Sequence, residues 1–291
     1  MMRIWIVTGA ISKSTGFEVM LQKGAPLLEK YGLQVELYRR FDIHCVLNPD
    51  GTKKVYACGK ETTAPDKLFL YGSYDAIMES IEKTLVSMGT VSINSVDAKR
   101  TAGSKVSTAL LLSNAGIPQA KTLPIYNDTP TELIVQELGL PVIVKPDTGY
   151  GGQGVEMLKT EAEIEEYKKT IPNDVHGMML AQNYISTSKG RDLRVLMIGK
   201  KPYAAFVRQA GNPDEFRSNI HQGGSYQDFT LTDDVIALCE KTAQTIGLEI
   251  CGLDLLFGEN GFIIGEINDS PGMKTIVEKV GMEKFLKALA I

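Results

Sequence analysis

Histidine is scarce in this chain and cysteine is scattered. Three histidines (His44, His176, His221) and four cysteines (Cys45, Cys58, Cys239, Cys251) form no CxxC pair and no ligand spacing, so a zinc site is not expected. Buried free thiols in a reducing cytosol are the expectation instead. No apolar run approaches the ~18 residues of a membrane span. The opening "MMRIWIVTGA" is too short for a secretory leader and reads as a first strand, so a cytoplasmic protein without a membrane partner is expected. A basic excess is also missing: the net charge is −4, which gives no field to attract nucleic acid. No GxxxxGK[ST] occurs, and the loop after the first strand, "TGAISKSTG", lacks GxGxxG. The P-loop class is thereby excluded, and a dinucleotide role has little support. There is no Ser-His-Asp or Cys-His signature either.

A length of 291 residues predicts two or three packed units. Residues 1–98 alternate strand and helix. Arg3–Val7, "LQVELYRR", "KLFLYG" and "VSIN" read as strands. Helices are predicted at 16–31 and in "YDAIMESIEKTLVSMG", while 48–66 reads as polar and turn-rich. This order implies a parallel sheet. Residues 99–184 follow an α+β pattern. "SKVSTALLLSNAG" is a helix with Val106, Ala109 and Leu110 at core spacing. "TPTE" fits a capping box with proline at N1, "PVIVK" and "MMLAQNYI" are strands, and "TEAE" caps another helix. In 185–291, "DLRVLMIG" and "KPYAAFVR" form an antiparallel pair. The loop "QAGNPDEFRSNIHQGG" and a helix from Thr232 to Gly247 follow, then a last hairpin. The fold class is α/β and α+β.

That hairpin, "GLDLLFGENGFIIGEIN", is rich in oxygen ligands. A three-residue loop, Glu259-Asn260-Gly261, places Asp254 opposite Glu266, with Asn268 on the same face. A two-residue loop would scatter the group. Two opposed carboxylates repel unless a cation lies between them, and oxygen donors suit Mg²⁺. Solvated strand-end carboxylates are the competing reading. Lys145 ends an apolar strand and precedes "PDTGYGGQG", a loop whose backbone can approach phosphate oxygens; a plain flexible turn is the alternative. Lys105 lies in the first turn of a helix, where the macrodipole opposes a cation, so either an anion or solvent answers it. Arg208 ends a strand, and Arg217, Ser218 and Asn219 follow in a polar loop. They suit phosphoryl or carboxylate recognition, or are simply surface groups.

Taken together, "SKVSTALLLSNAGIP", "PVIVKPDTGYGGQGV", "AQNYI", "GRDLRVLMIG", "FRSNIHQGG", "GLDLLF" and "GEINDSPG" resemble the ATP-grasp superfamily, and specifically the RimK-like amino-acid ligases. The resemblance implies an ATP-grasp fold with a Rossmann-like pre-ATP-grasp domain at 1–98. A central region at 99–184 would carry the lid, and 185–291 would form the C-terminal subdomain with the metal site. Lys105 and Lys145 would hold ATP phosphates, with Gly151 and Gly152 in a loop that closes over them. Gln182, Asn183, Tyr184 and Ile185 would meet adenine through the backbone; the family often has glutamate where Asn183 stands. Asp192 would contact ribose. Asp254, Glu266 and Asn268 match magnesium ligands, for two ions, with Mn²⁺ as a substitute. Arg208 and Arg217 would be catalytic, and Arg217, Ser218 and Asn219 would surround the terminal phosphate.

Such enzymes join an amino-acid or peptide acyl donor to an amine acceptor. The donor carboxylate attacks the γ-phosphate of ATP to give an acylphosphate, and the amine displaces phosphate. Glutamate or a similar amino acid is the expected donor, with a protein, peptide or small-molecule acceptor and assembly as a homo-oligomer. Acceptor choice is expected in loops 9–16 and around Gly72-Ser73, together with 208–224. Two other readings stay open: a catalytically silent ATP-binding regulator, and a phosphotransferase that makes no amide.

Overall fold

The computed structural model describes residues 1–9, 15–72, 74–149, 151–172, 178–212, 215–217 and 224–290. The first unit comprises β1 (Met2–Thr8), α1 (Thr15–Lys30), β2 (Leu33–Arg39), β3 (Ile43–Leu47), β4 (Lys53–Ala57), β5 (Lys60–Thr62), β6 (Lys67–Tyr71), α2 (Ala76–Ser87) and β7 (Val91–Ile93). Its main sheet is parallel in the order β2-β1-β6-β7. β1 is central because Ile4, Trp5, Ile6 and Val7 are all apolar, and all four are fully buried. The stretch 48–66 is more ordered than its composition suggests. It contributes β4 and β5, which pair antiparallel with β3 in a small separate sheet. Within β4 only Val55 and Ala57 are buried, so the apolar alternation that would announce these strands is nearly absent.

The second group is α3 (Val96–Gly103), α4 (Lys105–Asn114), β8 (Thr122–Ile125), α5 (Thr131–Leu138), β9 (Val142–Pro146), β10 (Glu156–Leu158), α6 (Glu161–Lys168) and β11 (Met179–Asn183). An antiparallel sheet runs β10-β9-β11-β8 over its own core of Ile134, Val142, Val144, Ile164 and Ala181. Two local expectations change here. α4 buries Thr108 and Leu112 rather than Val106, Ala109 and Leu110, and Leu110 is exposed. In "TPTE" there is no capping box: Pro130 is the N-cap residue of α5, and Thr129 Oγ1 instead accepts from Tyr126 N in the preceding turn. "TEAE" behaves as expected, with Thr160 Oγ1 accepting from Glu163 N and Glu163 accepting from Lys159 N.

The last group is β12 (Arg191–Ile198), β13 (Lys201–Gln209), β14 (Ser225–Asp228), α7 (Asp233–Ile246), β15 (Ile250–Gly258), β16 (Gly261–Asn268), α8 (Met273–Lys279) and α9 (Met282–Ala290). Five antiparallel strands run β14-β13-β12-β15-β16, with α7, α3 and α4 packed against them through Val235, Cys239 and Ala243, through Ala98 and Ala102, and through Leu112. The first unit and the last share a core. Phe17 and Met20 of α1 pack with Phe285, Leu286 and Leu289 of α9, and with Leu196 and Ile198 of β12. Among the described residues, no helix is long and apolar enough to cross a membrane.

Candidate active site

The terminal hairpin reaches its register by another route than the expected one. From Leu255 to Gly258 the partners run from Ile264 to Gly261, which leaves Glu259-Asn260 as a two-residue turn. The register then shifts between Asp254 and Leu255, and Asp254 returns opposite Glu266, with Gly252 opposite Asn268. Gly265 is the extra residue of this bulge. A Cβ there would stand 2.9 Å from Leu256 Cγ and 3.2 Å from the Asp254 carbonyl oxygen, which only glycine avoids. The expected register, Asp254 opposite Glu266 with Asn268 two residues further on, is thus reached by a bulge and not by the three-residue loop.

Asp254 is buried, and β12 answers it. Arg194 lies opposite it in the ladder and donates to both carboxylate oxygens, Nη2 to Oδ2 at 2.7 Å. Arg208 Nη2 approaches Asp254 Oδ2 at 2.8 Å, and the same guanidinium forks onto Asp192, Nε to Oδ1 at 2.7 Å. Burial pushes the Asp254 carboxyl up, but Arg194 and Arg208 outweigh it and hold it below its ordinary value. Burial likewise opposes the Arg208 charge, and Asp254 and Asp192 hold it above the usual guanidinium range. Arg194 was missed by sequence reasoning. Its spacing of two from Asp192 on one strand was the available signal, because it puts both side chains on one face.

Lys145, on β9, comes close to the same hairpin. Burial of its ammonium pushes its pKa down to about 8; Glu266 pulls it up, and Lys105 pushes it further down. Lys145 thus feels both charges. Lys105 Nζ donates to the carbonyls of Asp147 and Gly149, both at 3.3 Å. The helix dipole that opposed this lysine is answered by Asp147, whose Oδ1 accepts from Val106 N at 2.8 Å and from Ser104 Oγ at 3.1 Å. Asp147 was not singled out from the sequence, although it follows Lys145 by two residues. Gly149, Gly151, Gly152 and Gly154 all have positive φ, a region that glycine reaches without steric cost. Arg217 Nη1 donates to Gly152 O at 3.4 Å and its fork is held by Glu215, which Arg217 keeps at a pKa of about 2.

On β11, Gln182 Nε2 donates to Thr122 Oγ1 at 2.8 Å, and Asn183 Oδ1 accepts from Lys121 N at 2.8 Å. Tyr184 and Ile185 follow the strand, and burial raises the Tyr184 phenol. Ser218 and Asn219 lie outside the described residues, as do Ser73 and 10–14 of the loops expected to choose the acceptor.

The donors at the hairpin fit a hard divalent cation. Among the described residues Glu266 has no hydrogen-bond or ion-pair partner, so its carboxylate is available. Asp254 accepts three bonds out of about four that a carboxylate can take. Asn268 Oδ1 accepts one, from Ser270 N at 3.0 Å, which leaves it a lone pair. The set contains two carboxylates and one amide; among the described residues no group of three or more His, Cys, Asp and Glu stands in metal-binding geometry.

Residues 102–290 match the family described as the RimK-like ATP-grasp domain. The chain belongs to the RimK-like ATP-grasp family. A probable alpha-L-glutamate ligase of Vibrio atlanticus (strain LGP32) is 31% identical over 245 residues, covering 83% of this chain and 81% of that one. Among solved structures, the ATP-grasp ligase PsnB with its minimal precursor superposes with a TM-score of 0.70 at 18% identity, covering 99% of this chain and all of that one. The D-alanine–D-alanine ligase of Bacillus anthracis does so at 0.66 and 15%, covering 100% and 96%. The ATP-grasp fold expected from the sequence is therefore the fold observed, and this RimK-like chain is a ligase that forms carbon–nitrogen bonds.

Proposed function

We propose that this RimK-like ligase uses ATP and Mg²⁺ to join the carboxylate of glutamate, or a similar amino acid, to an amine on a protein, peptide or small molecule. The observation that carries the reading is the pair of lysines at the glycine loop: Lys105 Nζ lies 3.3 Å from the carbonyls of Asp147 and Gly149, and Lys145, two residues before Asp147, is held at a pKa of about 8. An idle ammonium in that position is costly; one that receives a phosphate is not. The relatives support the donor: several are named probable alpha-L-glutamate ligases.

In this reading Lys105 and Lys145 grip the phosphate tail, and the backbone of Gly151 and Gly152 covers it and keeps water away. The backbone of 182–185 borders adenine. Asp192 faces the ribose while it orients Arg208. Arg208 and Arg217 face the transferred phosphoryl group, Arg217 exchanging Glu215 for phosphate oxygens, with Ser218 and Asn219 beside it. Asp254, Glu266 and Asn268 would hold Mg²⁺, which would supply neutralisation of phosphate charge; two ions, with Mn²⁺ as a substitute, are part of the proposal. The donor carboxylate takes the γ-phosphoryl group, and the amine then displaces phosphate from the acylphosphate. Alignment and charge neutralisation suffice for both steps, so no side-chain nucleophile is needed. The working units are 1–98, 99–184 and 185–291.

The test is incubation with ATP, Mg²⁺ and pairs of amino acids, followed by mass spectrometry and phosphate release. ADP, phosphate and an amide product are expected. ATP binding without turnover for any pair would support a silent regulator. A stable phosphorylated product would mean phosphotransfer.

A further inference from the structure

The stretch "GEINDSPG" offers a third carboxylate next to the cation ligands, Asp269, and the structure shows where it goes. Lys99 of α3 is fully buried, and its Nζ lies 2.6 Å from Asp269 Oδ2 and 3.0 Å from Ser270 Oγ. The surrounding segment is gripped as well. Asn94 Nδ2 donates to the Asp269 carbonyl at 3.1 Å, and Gly72 N donates to Ser270 Oγ at 3.0 Å. Asn268 is the last residue of β16, so beyond it no ladder pleat fixes the direction of the next side chain. The ion pair does. Burial pushes the Lys99 ammonium down, and Asp269 opposes part of that shift.

We propose that Lys99 is a positioning residue that holds Asp269 out of the metal site, leaving the cation to Asp254, Glu266 and Asn268. This rests on the metal site proposed above. Outer partners of this kind tune metal affinity and coordination. Without Lys99 the freed carboxylate adds one negative oxygen ligand, and affinity rises with ligand charge.

The test measures binding of Mn²⁺ alone by calorimetry and by its paramagnetic resonance, with no turnover required. Lys99→Met is expected to bind Mn²⁺ about tenfold more tightly than the parent, with an altered resonance and a lower kcat at saturating ATP. Lys99→Met/Asp269→Asn is expected to return binding and resonance to parent values. A merely structural loss cannot tighten metal binding. Lys99→Met binding no tighter than the parent overturns the proposal. Should that variant not fold, Asp269→Asn alone decides: parent-like Mn²⁺ binding supports the proposal, and weakened binding makes Asp269 a ligand and overturns it. A parent chain that binds no Mn²⁺ overturns the ligand set itself, whereas Mn²⁺ binding without amide formation overturns only the ligase reading.

Discussion

Lys145→Met should make the ligand-free protein more stable and a poorer enzyme. The lysine's pKa falls from 10.5 to about 8 on folding, so at pH 7 the fold carries a charged ammonium at a cost of about 3 kcal/mol. Methionine fills a similar volume without charge and removes that cost. The sign follows from proton counting. Between pH 8 and 10.5 the unfolded chain binds the proton more readily than the folded one, so parent stability rises across that window. The gap between variant and parent is therefore largest below pH 8 and closes by about pH 10.5. Urea unfolding of both proteins at pH 7, 9 and 10.5 measures it. In the same variant the ATP requirement should rise on the order of 10- to 100-fold, since a charge-assisted contact to phosphate is lost. Calorimetry of parent ATP binding at pH 8.5 should record proton uptake, because phosphate restores the lysine's charge. A variant whose stability advantage does not change with pH, or whose ATP affinity equals the parent's, would refute the reasoning.

Glu266→Gln should fold normally and lose Mg²⁺-dependent phosphate release; near-normal turnover would remove Glu266 from the ligand set. Gly265→Ala forces a Cβ into Leu256 and the Asp254 carbonyl, and should cost about 1–3 kcal/mol in denaturant unfolding while weakening Mg²⁺ activation. Arg194→Met removes the larger of the two guanidinium attractions on Asp254. The parent's carboxyl is depressed, so the stability it lends is present above the usual carboxylate range and lost on acidification; the variant should unfold at higher pH, and an unchanged acid transition would count against the pair. At pH 8 a thiol reagent should modify exposed Cys58 first. Buried Cys239, pushed up to about 12, and Cys251, pushed higher still, should react only after denaturation.

Most of the large elements were legible because their apolar periodicity was strong. β1, β6, α2, α7 and the β12–β13 pair are examples, as is Gly247 at the end of α7 with φ 83°. The site was legible as residue types but not as a network. The opposition of Asp254 and Glu266 was legible by counting along a hairpin, yet the count assumed a regular ladder and the actual one is bulged. Arg194 and Asp147 were hidden because each acts across chain segments, and a linear pattern shows only spacing. α3 escaped notice because its buried face includes Lys99, a residue that ordinarily marks a surface. β4 and β5 escaped because strands this short and polar carry little periodic signal.

The contact of Asp147 with the start of α4 also joins two separate cores. β9 and the glycine loop belong to a unit with a closed core of its own, while α4 is packed into the core of the five-stranded sheet. Asp147 fastens one to the other: it accepts from Val106 N and Ser104 Oγ, and its carbonyl accepts from Lys105 N, so β9 and the helix that starts at Lys105 are tied together where the two cores meet.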